Sequence, residues 1–215
     1  MAQVPTGSMF FIASAFGVAK TVSGVSNATE AVVSSTAHGF SNGDIVEMTS
    51  GWGRLNLRAF RVKSVTADTF VLEGCDTTNT NFFPSGSGGG SVRKATTFVQ
   101  IVTVQNPQST GGEAKKVSYK FVESDVEFSI NDGFSAVNRS LELDADSIGT
   151  PGYAALKALT DVQTDSILKT VTKSGSFTLL SCKVALNEEV LMQEGQINKV
   201  KVDFSGNSRS VRYAS

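Results

Sequence analysis

The sequence is poor in the residues on which most enzyme chemistry rests. Its 215 residues include one histidine, His38, two cysteines, Cys75 and Cys182, one tryptophan and four prolines. A single histidine excludes paired-histidine metal chemistry, and nucleophilic triads need a histidine with defined partners. His38 sits in Thr36-Ala37-His38-Gly39-Phe40, directly before a glycine and a turn, and is read as making a structural hydrogen bond. The cysteines have no motif spacing, which argues against a disulfide framework and leaves two free thiols. No apolar run approaches the roughly 20 residues a membrane helix needs. Met9-Phe10-Phe11-Ile12 before Ala13-Ser14-Ala15 resembles a signal sequence, but no lysine or arginine precedes it, so it is not read as one. The formal net charge of −1 gives no bulk attraction to nucleic acid or anionic membrane. Charged residues make up 18% of the chain, against roughly 25% in soluble domains. That fits a surface meant to meet other subunits, and equally a Ser/Thr/Gly-rich β protein.

What the sequence does contain is strand signal. Arg58-Ala59-Phe60-Arg61-Val62-Lys63 alternates, with Phe60 and Val62 inward and Arg61 and Lys63 outward. Asn42-Gly43 and Thr66-Ala67-Asp68 are turn signals around it. Residues 22–76 therefore read as a small SH3-like β module. Residues 77–94, with Gly86-Ser87-Gly88-Gly89-Gly90, are too polar and glycine-rich to bury much, and a mobile loop is expected there. The glycine run is no phosphate loop, because Arg93-Lys94 leads into a strand rather than a helix. Residues 95–215 read as a β-sandwich, with residues 1–21 as an arm or first strand joining it.

Within that sandwich, Thr97–Val104 is a strand and Gln105 through Gly112 a loop. Val117–Ile130 is read as one long strand whose apolar phase flips at Phe121-Val122, implying a bulge or a crossing between sheets. Asn131-Asp132-Gly133 then turns the chain. The one convincing helix has Thr150 as N-cap, Pro151 at its first position, an apolar stripe of Tyr153, Leu156 and Leu159, and an end near Asp161. Further strands are expected at Ser166–Thr172, Phe177–Leu186, Val190 toward Phe204, and Arg209–Tyr213.

No catalytic, cofactor or metal residue emerges. Glu123, Asp125 and Glu127 are spaced by two and would form an acidic row if they lie on a strand. A solvated face is one reading; a cation site is another, although three carboxylates in a straight row cannot wrap one ion. Arg54, Arg58, Arg61 and Lys63 make the module locally basic; a nucleic-acid patch is one reading, but aromatic interleaving is poor, and an outward face meeting water or an acidic neighbour is preferred. A hydrolase using two carboxylates would need a cleft between them, and none is evident. A binding module displaying Trp52 to receptors or glycans is the other alternative.

Two stretches carry a family resemblance. Thr36 through Asp44, continuing through Phe60-Arg61-Val62 to Val65–Phe70, resembles a small β module of phage virion proteins, and also a small domain of ubiquitin-activating enzymes. The apolar stretch from Met9, Lys120-Phe121-Val122-Glu123-Ser124-Asp125-Val126, the helix opening Pro151-Gly152-Tyr153 and the ending Val211-Arg212-Tyr213 resemble the tail tube proteins of long-tailed phages. The resemblance implies a β-sandwich with one flanking helix, six copies to a ring, and rings stacked into a tube that conducts double-stranded DNA without gripping it. It implies assembly in the host cytoplasm, residence in the virion, and tape measure, terminator and tail tip proteins as partners. The module would decorate the outside of the tube. Glu123, Asp125 and Glu127 become candidates for an acidic lumen lining, which would not retain DNA as a basic one would. Met9, Phe10, Phe11, Phe82, Phe83 and Arg93 become candidates for contacts between subunits and rings. No cofactor and no membrane are implied.

Overall fold

The computed structural model describes residues 4–215; residues 1–3 of the expected N-terminal arm lie outside them. Among the described residues the fold is mainly β with a single α-helix. In chain order the strands are β1 (Met9–Phe16), β2 (Lys20–Val22), β3 (Gly24–Val25), β4 (Val32–Ser34), β5 (Ile45–Ser50), β6 (Arg58–Lys63), β7 (Thr69–Leu72), β8 (Gly90–Ile101), β9 (Val104–Thr110), β10 (Ala114–Tyr119), β11 (Phe128–Phe134) and β12 (Asn138–Asp144). The helix α1 (Pro151–Val162) follows, then β13 (Ser166–Val171), β14 (Phe177–Leu191), β15 (Lys199–Gly206) and β16 (Val211–Tyr213).

One continuous sheet runs in the order β3-β4-β7-β6-β5-β8-β1-β13-β14-β15-β12-β9, with β2 beside β8 and β16 beside β14. The sheet curls: Arg139 on β12 donates from Nη1 to Thr170 Oγ1 on β13 at 2.8 Å, although β15 and β14 lie between those strands in hydrogen-bonding order. The concave side holds a core of alternating residues, including Ile12, Leu141, Leu143, Leu168, Leu180, Val184, Val202 and Phe204. Helix α1 packs Tyr153 and Leu156 into this core. Thr150 caps it by accepting from the Tyr153 N–H at 3.3 Å, Pro151 opens it, and Gln163 in the left-handed region closes it.

β8 is the hinge of the architecture. Its first half pairs with β5 and its second half with β1. The small module is therefore built onto a strand of the larger sheet, and a second core runs between them, with Val46, Phe60 and Leu72 meeting Ile167, Leu179 and Tyr213. Polar links cross the same seam. Tyr213 Oη accepts from the Arg61 N–H at 2.9 Å and donates to Glu73 O at 3.3 Å, and burial pushes its hydroxyl up to about 12. Within the module, Arg61 pairs with Glu73 and Lys63 with Glu30, so half of the basic cluster meets acidic neighbours.

Several segments differ from the sequence expectation. Gly90–Lys94, expected in a loop, open β8. The preceding residues are pinned rather than loose: Thr77 and Phe83 are buried, and Asn27 Nδ2 donates to both of their carbonyls at 2.9 Å. Residues 105–110, expected as loop, belong to β9, an edge strand on which Pro107 is tolerated because an edge leaves N–H groups unpaired. β14 is one strand of 15 residues.

β9 and β12 continue into a second, two-stranded ribbon, β10 and β11. Its root depends on Gly111. This residue has φ +81°, and a Cβ there would lie 1.8 Å from Ala136 O. Gly111→Ala is expected to cost at least about 1–3 kcal/mol from backbone strain alone. Gly24→Ala, whose Cβ meets nothing within 4 Å, is the control. Thermal melting of both variants is the check; equal melting temperatures would remove this account of the root.

Candidate functional site

The ribbon is the most exposed apolar element of the chain. Every residue of β10 and β11 is exposed. Val117 pairs with Ile130 and Tyr119 with Phe128. Directly opposed residues of an antiparallel pair share a face, so Val117, Tyr119, Phe128 and Ile130 form one apolar side. Phe121 extends it: its ring centroid lies 5.4 Å from Tyr119 and 6.0 Å from Phe128. Lys116, Ser118 and Ser129 take the other side. An amphipathic two-stranded ribbon with its apolar face in water is at best marginally stable alone and marks a contact surface.

This geometry corrects the reading of Val117–Ile130 as one strand. Residues 120–127 are the tip of a hairpin, closed by the Ser124 N–H donating to Phe121 O at 3.1 Å and the Val126 N–H donating to Ser124 Oγ at 3.1 Å. The flip of apolar phase at Phe121-Val122 comes from chain reversal, which returns Phe128 and Ile130 to the face of Val117 and Tyr119. Asn131-Asp132-Gly133, expected as a turn, lies inside β11, with Gly133 at φ +91°.

Glu123, Asp125 and Glu127 accordingly stand on the tip rather than in a row along a strand. All three are exposed, and none joins an ion pair among the described residues. The other sequence candidates are dispersed. Phe10 and Phe83 lie in the core, while Met9 and Phe82 are 42% and 46% exposed. Phe11 is half-buried on β1. Arg93 is engaged within the chain, donating from Nε to Glu47 Oε2 at 2.6 Å and from Nη2 to Asp165 O at 3.0 Å, with its guanidinium 4.0 Å from the Phe16 ring centroid.

The polar inventory elsewhere is structural. His38 Nδ1 accepts from the Phe40 N–H at 3.0 Å, and its ring packs on Phe40 and Phe70. Burial pushes the Cys75 thiol up to about 11 and Cys182 up to about 12, so neither offers a thiolate at neutral pH. Trp52 is 1% exposed, which leaves no ring face for a sugar. Among the described residues no three of His, Cys, Asp and Glu gather as metal ligands, and no helix is long and apolar enough to cross a membrane.

Sequence reasoning missed one feature with a legible signal. In Val137, Arg139, Leu141, Leu143 the alternation places Arg139 in the inward phase of β12, facing the concave side with the two leucines. Its Nε is buried without a partner among the described residues, and burial holds its guanidinium below the usual arginine range. Arg139 sits at the wall of a cleft of about 890 Å³ that also contains Arg212 and a set of serine and threonine hydroxyls.

A search of curated proteins returns no match. Among solved structures, the chain is similar to a chain of the anti-feeding prophage baseplate, at a TM-score of 0.37 and 7% identity over 54% of this chain and 84% of that one. It is also similar to a chain of the tube-terminating cap of the anti-feeding prophage, at a TM-score of 0.34 and 10% identity over 54% and 83%. The family model described as phage tail tube protein matches residues 50–215, from the end of β5 through the hairpin, the helix and the closing strands. That match covers most of the chain, and the protein belongs to the phage tail tube protein family.

Proposed function

We propose that the protein assembles with copies of itself into six-membered rings that stack into the phage tail tube, the conduit for double-stranded DNA. The observation that carries this reading is the β10–β11 hairpin, whose Val117, Tyr119, Phe121, Phe128 and Ile130 are between 40% and 56% exposed. A second copy is the natural cover for such a face, since exposed apolar area of this kind is removed from water on association. The edge strand β9 supports it further, because ring closure pairs edges that a monomer must leave open. Met9, Phe11 and Phe82 add surface available to neighbours, and the small module, packed on the convex side of the sheet, lies toward the outside of the tube. Tape measure, terminator and tip proteins are the further partners of this reading.

Negative-stain microscopy of the purified protein at high concentration tests it. The wild type is expected to form rings or hollow tubes. Tyr119→Ser, Phe121→Ser and Phe128→Ser together are expected to leave a folded monomer, because these positions contribute nothing to either core. A wild type that stays a monodisperse monomer would overturn the proposal.

A further inference from the structure

We infer that the cleft holding Arg139 and Arg212 is the socket into which the acidic hairpin tip of a second copy docks. The inference rests on the proposed self-assembly and names its electrostatic contact.

The cleft is built for an anion. Among the described residues Arg139 and Arg212 are its only charged lining groups, and hydroxyls of Ser8, Thr170, Thr172 and Thr178 line it with them. Arg139 is positioned by Thr170 Oγ1, but among the described residues no carboxylate answers it and its Nε has no acceptor. A guanidinium partly withdrawn from water without a counterion is costly, and an incoming carboxylate relieves that cost with charge-assisted hydrogen bonds. Arg212 stands exposed at the cleft, its Nη2 3.4 Å from Ser176 Oγ, and it joins no ion pair among the described residues.

The tip supplies the complement. Residues 120–127 carry Glu123, Asp125 and Glu127 against the single cation Lys120, a net charge of −2. The three carboxylates project from a ribbon that leaves the body of the molecule beyond Gly111. Tip and cleft lie on the same molecule but do not meet within it, so the tip of one copy and the cleft of the next make a heterologous, repeating contact. Such a contact extends an assembly rather than closing a pair.

A second arginine cluster, Arg54, Arg58 and Arg209, fits less well. Its cleft of about 350 Å³ already contains Asp76. Two of its guanidinium groups are also spent, Arg54 over the Phe82 ring at 3.3 Å and Arg209 over Phe134 at 4.2 Å.

Charge reversal and swap test the socket. One chain carries Glu123→Lys, Asp125→Lys and Glu127→Lys; a second carries Arg212→Glu, an exposed site that leaves folding intact; a third carries both sets. A fourth, Arg139→Met, removes the inner guanidinium, with thermal melting to confirm the fold. The first, second and fourth are expected to raise the protein concentration needed for tubes by roughly tenfold or more, and the third to recover much of that loss. Wild-type tubes with normal tube formation by both the lysine chain and Arg212→Glu would overturn the socket while leaving self-assembly standing. Lysine-chain tubes that form normally but deliver no DNA would overturn it in favour of a lumen role for the same carboxylates. A swap chain no better than either parent would also overturn it. A wild type that never assembles would remove socket and self-assembly together.

Discussion

Arg93→Met is expected to destabilise the chain by about 3–5 kcal/mol, because it strands a buried carboxylate. The Glu47 side chain is only 2% exposed and sits opposite Arg93 in the β5–β8 pairing. It has two partners: the Arg93 guanidinium, and Ser181 Oγ on β14, which donates to Oε1 at 2.6 Å. Without Arg93 one hydroxyl must hold a full negative charge away from water. For a chain of this size the loss corresponds to a fall in melting temperature of roughly 6–20 °C. Glu47→Gln with Arg93→Met removes the charge together with its counterion, so the double variant is expected to lose less than the sum of the singles. Calorimetry of the three variants is the measurement. An Arg93→Met protein melting within about 2 °C of the wild type would refute the role assigned to this pair.

Trp52→Ala is the second large effect, at about 3–5 kcal/mol for deletion of a fully buried aromatic. Its consequence is local as well as global. Trp52 Nε1 donates to Pro84 O at 2.8 Å and to Ser87 Oγ at 3.2 Å, and its ring meets Phe83 edge-on at 5.2 Å between centroids. The indole thus fastens the segment between residues 77 and 89 onto the module. Chemical denaturation gives the global loss, and limited proteolysis the local one. The variant is expected to be cut within 77–89 under conditions where the wild type resists. Equal resistance would mean that other contacts, such as those of Asn27, hold the segment without the ring.

That segment also shows where sequence reading misleads. Gly86-Ser87-Gly88-Gly89-Gly90 has the composition of a flexible linker, and a loop was expected. In the fold the glycines permit close approach. A Cβ on Gly88 would lie 3.0 Å from the Trp52 ring, and one on Gly90 would lie 2.0 Å from Thr49 O. Glycine serves slack chain and tight packing alike, and local composition does not distinguish them. Only the position of Trp52 and β5, brought in from some 40 residues away, decides between the two.

The hairpin carries a similar lesson. The apolar positions of residues 117–130 were visible as two phased runs, and the phase change between them was real. A bulge, a sheet crossing and a reversal all produce such a change, and this tip lacks the Asn-Gly or Gly-Pro pair that would have identified a turn. The register Val117↔Ile130 settles the matter and turns two faces into one.

The sequence by itself determined the secondary-structure class, the helix with its Thr150 cap and Pro151 start, the alternating core of β6, and an inventory of one histidine and two cysteines without motif spacing. These are set by periodicity, capping and inventory, all of which act over a few residues. Tertiary structure alone decided that β8 joins the module to the main sheet, that Arg93 is tied to Glu47, and that Arg139 faces a cleft with no counterion among the described residues. Each of these depends on which distant strands become neighbours, and a single chain records that only when its side chains meet in space.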